Sequence, residues 1–226
     1  MKFTLRFVLL SILVLGCISA PVWADSITVQ NGTFATTNPL NLVCGSDCAY
    51  NLGPIPGWTI TGQAGSWQVG SNFYTNPVPD GGIVALVTNG TISQTLPAHL
   101  MPNTTYTLSV DVGHRLDGFA TTYTFVLYAG NTVLNSVSGS SNLIGSGTFA
   151  DETLSYTTGA TVVDSGNLTI ALTSAGSLIT DGGIQSNFGD VQLTDTAATP
   201  EPSSLLLLGS GLLGVGGFLR RRLLGV

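Results

Sequence analysis

Thr104-Thr-Tyr-Thr-Leu-Ser-Val-Asp-Val112 alternates hydroxyl or acidic side chains with apolar ones along its whole length. Strand side chains point to opposite faces with a period of two, so this run predicts a half-buried β-strand. Similar alternating or short apolar runs, bounded by Gly, Asn, Asp or Pro, occur at 27–34, 57–60, 66–69, 83–88 and 91–96 before it. Others follow at 121–128, 132–137, 148–156, 167–172 and 188–193. No stretch between them sustains a 3.6-residue period. Many short strands separated by turn signals predict an all-β fold, a jelly-roll-like β-sandwich of two sheets. The Asn89-Gly90 pair between two of the runs predicts a hairpin.

Composition narrows the function classes. The chain has 226 residues, with six basic and twelve acidic side chains and only 8% charged residues, against roughly a quarter in an ordinary soluble domain. Lys2, Arg6, Arg220, Arg221 and Arg222 sit at the two ends, so Arg115 is the one Lys or Arg in residues 25–199. That stretch holds eleven acids and one base, a net of 1 − 11 = −10. Such a balance excludes a nucleic-acid binder, which needs a basic face to displace counterions from phosphates. The 28 threonines and 16 serines of the same stretch let exposed strand faces carry hydroxyls in place of charges.

The ends read as export signals. Lys2 and Arg6 precede an apolar run of twelve residues, 7–18, and Val22-Trp-Ala24 places small residues before Asp25. This predicts a signal peptide over residues 1–24 with a helical core, cut between Ala24 and Asp25. Cys17 reads as an apolar member of that run, with a lipoprotein-type cysteine as the alternative. At the other end, a linker over 197–204 contains Pro200-Glu201-Pro202. An apolar helix over 205–219 follows, and a basic stop over 220–226 carries Arg220, Arg221 and Arg222. Fifteen helical residues reach about 22 Å, short of the ~30 Å hydrocarbon core. The arginines orient such a helix with the preceding domain outside. A plain membrane anchor is one reading of this end, and a sorting tail that is held briefly and cut is the other.

The three-part tail resembles the PEP-CTERM sorting signal of bacterial surface proteins. The resemblance implies export, transient membrane anchoring, processing near Pro200 to Pro202 by an exosortase-type membrane protease, and delivery to the cell surface or extracellular matrix. Most of residues 27–194 carry a second resemblance, within a single predicted domain over 25–196. V-Q-N-G-T-F (29–34), I-P-G-W (55–58), D-G-G (80–82), I-S-Q-T-L (92–96), Y-T-L-S-V-D-V-G (106–113), L-T-I-A-L (168–172) and N-F-G-D-V-Q-L (187–193) come in that order. The series is similar to the galactose-binding-like jelly rolls of carbohydrate-binding modules. It implies a sandwich that binds glycan, and one structural Ca²⁺ near Asp190. Ala35 stands where those families often place an acid, and Gly189-Asp190 shifts the later acid by one position.

Candidate chemistry in residues 25–196 is sparse. Cys44 and Cys48 read as a small disulfide-closed loop, with a redox pair as the alternative. No nucleophile elbow, H-E-x-x-H or Gly-rich phosphate loop is present, and no spacing selects a carboxylate pair. The expectation is therefore a protein without catalytic residues and without a cofactor, the one Ca²⁺ apart. For binding, Phe73 and Tyr74 lie in a loop-like segment, and Phe119 follows Arg115 and Asp117. These five are the candidate ligand residues. Arg115 has two readings, a tie to Asp111 or Asp117 or a ligand clamp, and Trp58 and Trp67 read as core. Taken together, the sequence points to an exported, non-catalytic surface or matrix protein that binds extracellular polysaccharide. The alternative is a structural protein acting by self-association.

Overall fold

The alternation at 104–112 is realised in β6 (Thr104–His114), which buries Tyr106, Leu108, Val110 and Val112 and leaves Thr105, Thr107, Ser109 and Asp111 partly exposed. In the computed structural model, which describes residues 24–75, 78–117, 121–175, 185–198 and 209–211, eleven strands are present. The others are β1 (Ala24–Ile27), β2 (Leu42–Val43), β3 (Ala49–Tyr50), β4 (Thr59–Gln68), β5 (Ile83–His99), β7 (Thr122–Ala129), β8 (Thr132–Ser140), β9 (Thr148–Thr157), β10 (Asn167–Ser174) and β11 (Ser186–Ala197). Ala24–Thr196 form one compact unit. Outside it, Gly209–Gly211 are helical. The predicted signal helix and the rest of the predicted membrane helix lie outside the described residues. Among the described residues no helix is long and apolar enough to cross a membrane.

Two antiparallel layers make a β-sandwich jelly roll. One runs β2-β3-β4-β5-β10-β7-β8, the other β1-β11-β6-β9. The start of β11 joins them, with Ser186, Asn187 and Phe188 paired to Val87, Leu86 and Ala85 of β5. Between the layers lie Phe125 and Leu127 of β7, Leu168, Ile170 and Leu172 of β10, Ile92 and Leu96 of β5, and the inward residues of β6. Fully burying each such side chain is worth about 1.5–3 kcal/mol over leaving it exposed. One buried amide is built into this core. Gln94 accepts from the Gln30 N–H at 2.7 Å and donates to Gln30 O and Gly57 O, each at 2.8 Å, which pins the N-terminal segment to β5.

The charges divide between the layers. Strands β4, β5, β7, β8 and β10 contain no Asp, Glu, Lys or Arg, while β1, β6, β9 and β11 contain Asp25, Asp111, Asp151, Glu152, Asp190 and Asp195. On the uncharged layer, Thr61, Thr91, Thr173, Thr124 and Ser138 stand in register across five strands. Thr91–Thr173 at 2.8 Å and Thr124–Ser138 at 2.7 Å are hydrogen-bonded.

Two expectations about connection are corrected. Asn89-Gly90 makes no hairpin, because β5 runs through it unbroken from Ile83 to His99. Gly62 faces Gly90 across the ladder with φ +84°, and the register shifts between Gly62 and Ala64. A Cβ on either glycine would overlap backbone of the other strand, so the pair serves a bulge that bends two long strands together. The expected strand over 27–34 stops at Ile27. Beyond it the chain turns, with Phe34 N–H donating to Asn31 O at 3.1 Å and both residues at positive φ.

Candidate functional site

At one end of the sandwich the apolar interior changes character. A second cluster, separate from the main core, gathers Trp67, Tyr74, Val84, Leu86 and Cys48, with Phe73 and Phe149 packed against it. Backbone bonds thread three loops together here. Leu116 N–H donates to Phe73 O at 2.9 Å, Thr75 N–H to Gly147 O at 3.0 Å, and Gly147 N–H to His114 O at 2.7 Å. Gly113 makes room for the aromatics, since a Cβ there would overlap the Tyr74 hydroxyl and crowd the Phe149 ring.

Four of the five expected ligand residues converge in this cluster. Arg115 is 7% exposed, and its guanidinium lies 4.8 Å from the Phe73 ring centre and 5.2 Å from that of Trp67. Nε donates to Asp117 Oδ1 at 3.0 Å and Nη2 to Asp117 Oδ2, a bidentate ion pair. Trp67 and Phe73 meet edge to face at 5.1 Å, and Tyr74 stacks on Phe149 at 4.5 Å. Phe119 lies outside the described residues.

One buried polar contact here is not indicated by the sequence. Tyr74 donates from its hydroxyl to Asn187 Oδ1 at 2.8 Å. Burial pushes the Tyr74 phenol far above the usual tyrosine range, although the nearby Arg115 charge pulls it the other way. Asn187 has no solvent exposure, and its Nδ2 donors have no partner among the described residues. A buried amide donor left unpaired costs about 1–3 kcal/mol. His114, on the same strand end, is tied by Nδ1 to Ile144 O at 2.8 Å.

The remaining expected positions lie elsewhere. Ala24 and Asp25 open the exposed start of β1. Pro200, Glu201, Pro202, Arg220, Arg221 and Arg222 lie outside the described residues. A disulfide joins Cys44 and Cys48. Asp190, at φ +36°, lines a groove of about 440 Å³ with Ser26, Thr33 and Gln192, and its carboxylate accepts from Gln192 Nε2 at 2.7 Å. Ca²⁺ takes six to eight oxygens, usually with several carboxylates. The groove's lining offers the single carboxylate of Asp190, and Ala35 supplies none. These side chains do not make the expected Ca²⁺ site.

Residues 25–194 match the family of the HpiC1 cyclase. The chain belongs to the HpiC1-like cyclase family. The cyclase from Fischerella sp. TAU in complex with 4-(1H-indol-3-yl)butan-2-one is 26% identical, with 77% of this chain and 99% of that one covered and a TM-score of 0.61. Another structure of a cyclase from Fischerella sp. TAU is 25% identical over 79% of this chain and all of that one, at TM-score 0.62. Carbohydrate-binding jelly rolls also appear among the neighbours. One is the CBM22-1 xylan-binding domain from Paenibacillus barcinonensis Xyn10C, 14% identical over 63% of this chain and 88% of that one, at TM-score 0.42. No curated protein matches the chain significantly.

Membership of a cyclase family overturns the expectation of a non-catalytic protein. That expectation rested on the absence of nucleophile, metal-ligand and carboxylate-pair motifs, which are not what every cyclase family displays in sequence. Residues 198–222 match the PEP-CTERM protein-sorting motif, which implies export and membrane-anchored processing before surface display.

Proposed function

We propose that this exported member of the cyclase family takes a small, neutral, aromatic substrate at the Trp67–Tyr74–Arg115 end and closes a ring in it. The observation that carries this reading is the unpaired Asn187 Nδ2, held by Tyr74 at the bottom of an aromatic cluster. The Arg115 charge is neutralised by Asp117, which disfavours a phosphate or carboxylate ligand. Leu116 and Leu143, both exposed on neighbouring loops, add an apolar rim. In ring closure, Asn187 would donate to an acceptor atom on the substrate and draw electron density toward it. Tyr74 orients the amide and, with its pKa raised, stays protonated.

Binding of 4-(1H-indol-3-yl)butan-2-one, the compound held by the Fischerella neighbour, tests the site. Calorimetry on the exported protein is expected to show binding that Asn187→Leu and Tyr74→Phe each weaken by about tenfold, or 1.4 kcal/mol. Unchanged affinity in both variants would remove the assignment.

A second reading, contact with extracellular polysaccharide, is favoured by the sorting motif and the uncharged hydroxyl row of Thr61, Thr91, Thr173, Thr124 and Ser138. Affinity gels cast with neutral glycans serve as its test. Retardation lost in a Thr91→Val, Thr173→Val variant supports it, and free migration in every gel refutes it.

A further inference from the structure

We infer that the disulfide-closed hairpin around Cys44 and Cys48 is a positioning device for the aromatic end, assembling that site in the oxidised protein and loosening it on reduction. The inference rests on reading that end as the substrate site. β2 and β3 are two residues each, too short for their ladder to hold a hairpin unaided. Closure comes from the disulfide and from Cys44 N–H donating to Cys48 O at 3.0 Å.

From this small loop, contacts run to both walls of the site. Trp67 donates from its indole Nε1 to Cys48 Sγ at 3.2 Å, and β3 seats Tyr50 opposite Trp67 on the ladder. Asp47 Oδ2 accepts from the Ser71 N–H at 2.8 Å, at the turn that carries Phe73 and Tyr74. Gly70 packs so closely on the hairpin that a Cβ there would lie 2.8 Å from Asp47 Oδ1 and 3.0 Å from Cys48 Cβ. The bond from Ser71 holds the Asp47 carboxyl below the usual carboxylate range, so it stays ionised and keeps accepting. Trp67, which the β4–β5 ladder also holds opposite Val84, and the 70–75 loop are thus both tied to the same five residues. Arg115 lies over Trp67 and Phe73.

Cys44 is exposed and Cys48 is buried, so an incoming thiol meets Cys44 first. A thiolate of an external dithiol attacks Cys44 Sγ and breaks the S–S bond. Cys48 leaves as a thiolate and takes up a proton. The second thiol of the dithiol then displaces Cys44 and closes its own disulfide, so two electrons and two protons pass to the chain. The reverse exchange, with an oxidised dithiol protein outside the cytoplasm, sets the site after export.

The test compares the full exported chain in its oxidised form with the same protein reduced by dithiothreitol, the state of both cysteines being read by mass. Asp47→Ala, which keeps the disulfide, is measured alongside. Hydrogen exchange over residues 70–75 is expected to quicken by about tenfold on reduction and in Asp47→Ala, with β6 and β9 unaltered. Affinity for the indole ketone is expected to fall by about tenfold in parallel. If the oxidised protein does not bind that probe while exchange still responds, the site reading fails and the positioning role stands. Exchange over 70–75 that is the same before and after proven reduction overturns the inference, as does faster exchange confined to 44–48.

Discussion

Tyr123 shows how a single residue couples burial to pH. Its ring stacks on Phe125 at 6.4 Å, and its hydroxyl lies so close to Gly139 that no Cβ would fit there. Burial first, and then the charge and hydrogen bond of Glu152, push its phenol up to about 12 from 10.0. Folding therefore favours the protonated form, and its stabilisation is fully present below pH 10. As pH rises from 10 to about 12, the unfolded chain loses this proton and the folded chain keeps it, so stability falls. Urea denaturation across that range is expected to show the decline, with Tyr74 adding to it in the same direction. Tyr123→Phe should flatten part of the slope, and an unchanged slope in that variant would exclude Tyr123 as its source. Arg115 was legible in the sequence as the one Lys or Arg in residues 25–199. Its partners were less so: Asp117 was one of two acids in reach, while the Trp67 and Phe73 faces came from chain more than forty residues away.

Among the elements, β4 and β5 carry the bend that gives the sandwich its aromatic end. Beyond the bulge at Gly62 and Gly90, Ala64–Trp67 and Val84–Thr88 are buried on consecutive positions, where the outer parts of both strands alternate. Gly62 adopts φ +84° against the backbone of Asn89, a conformation and a contact that an L side chain does not tolerate. Gly62→Ala is expected to destabilise by about 1–3 kcal/mol. A urea midpoint equal to that of the unsubstituted protein would show that the bulge relaxes at no cost. Both strands are legible in the sequence but their joint is not, since Asn-Gly signals a turn in local terms and only the partner strand converts it into a bulge. The short β2 and β3 pair was missed for a similar reason. Two residues per strand leave no period to detect, and the hairpin is held by a disulfide and by Trp67 and Ser71, which the local sequence does not contain.

Across the molecule, an uncharged layer faces an acidic one, and the cations outside residue 115 belong to the two ends. The PEP-CTERM match over 198–222 spans the C-terminal cations Arg220, Arg221 and Arg222. Replacing Pro200-Glu201-Pro202 by alanines is expected to leave a product of larger mass in the membrane fraction, and release at the ordinary mass would separate the motif from processing. What the sequence determined by itself was the β class, the sandwich, the sorting tail and the acidic balance. Each of these is a local property, carried by a period of two, by composition, or by a short ordered motif. The tertiary structure alone decided which side chains meet. Tyr74 and Asn187 are 113 residues apart, and they touch because β11 crosses onto β5 at Asn187 while a turn from Gly70 delivers Tyr74. Register and crossing set that encounter, and no local pattern encodes them.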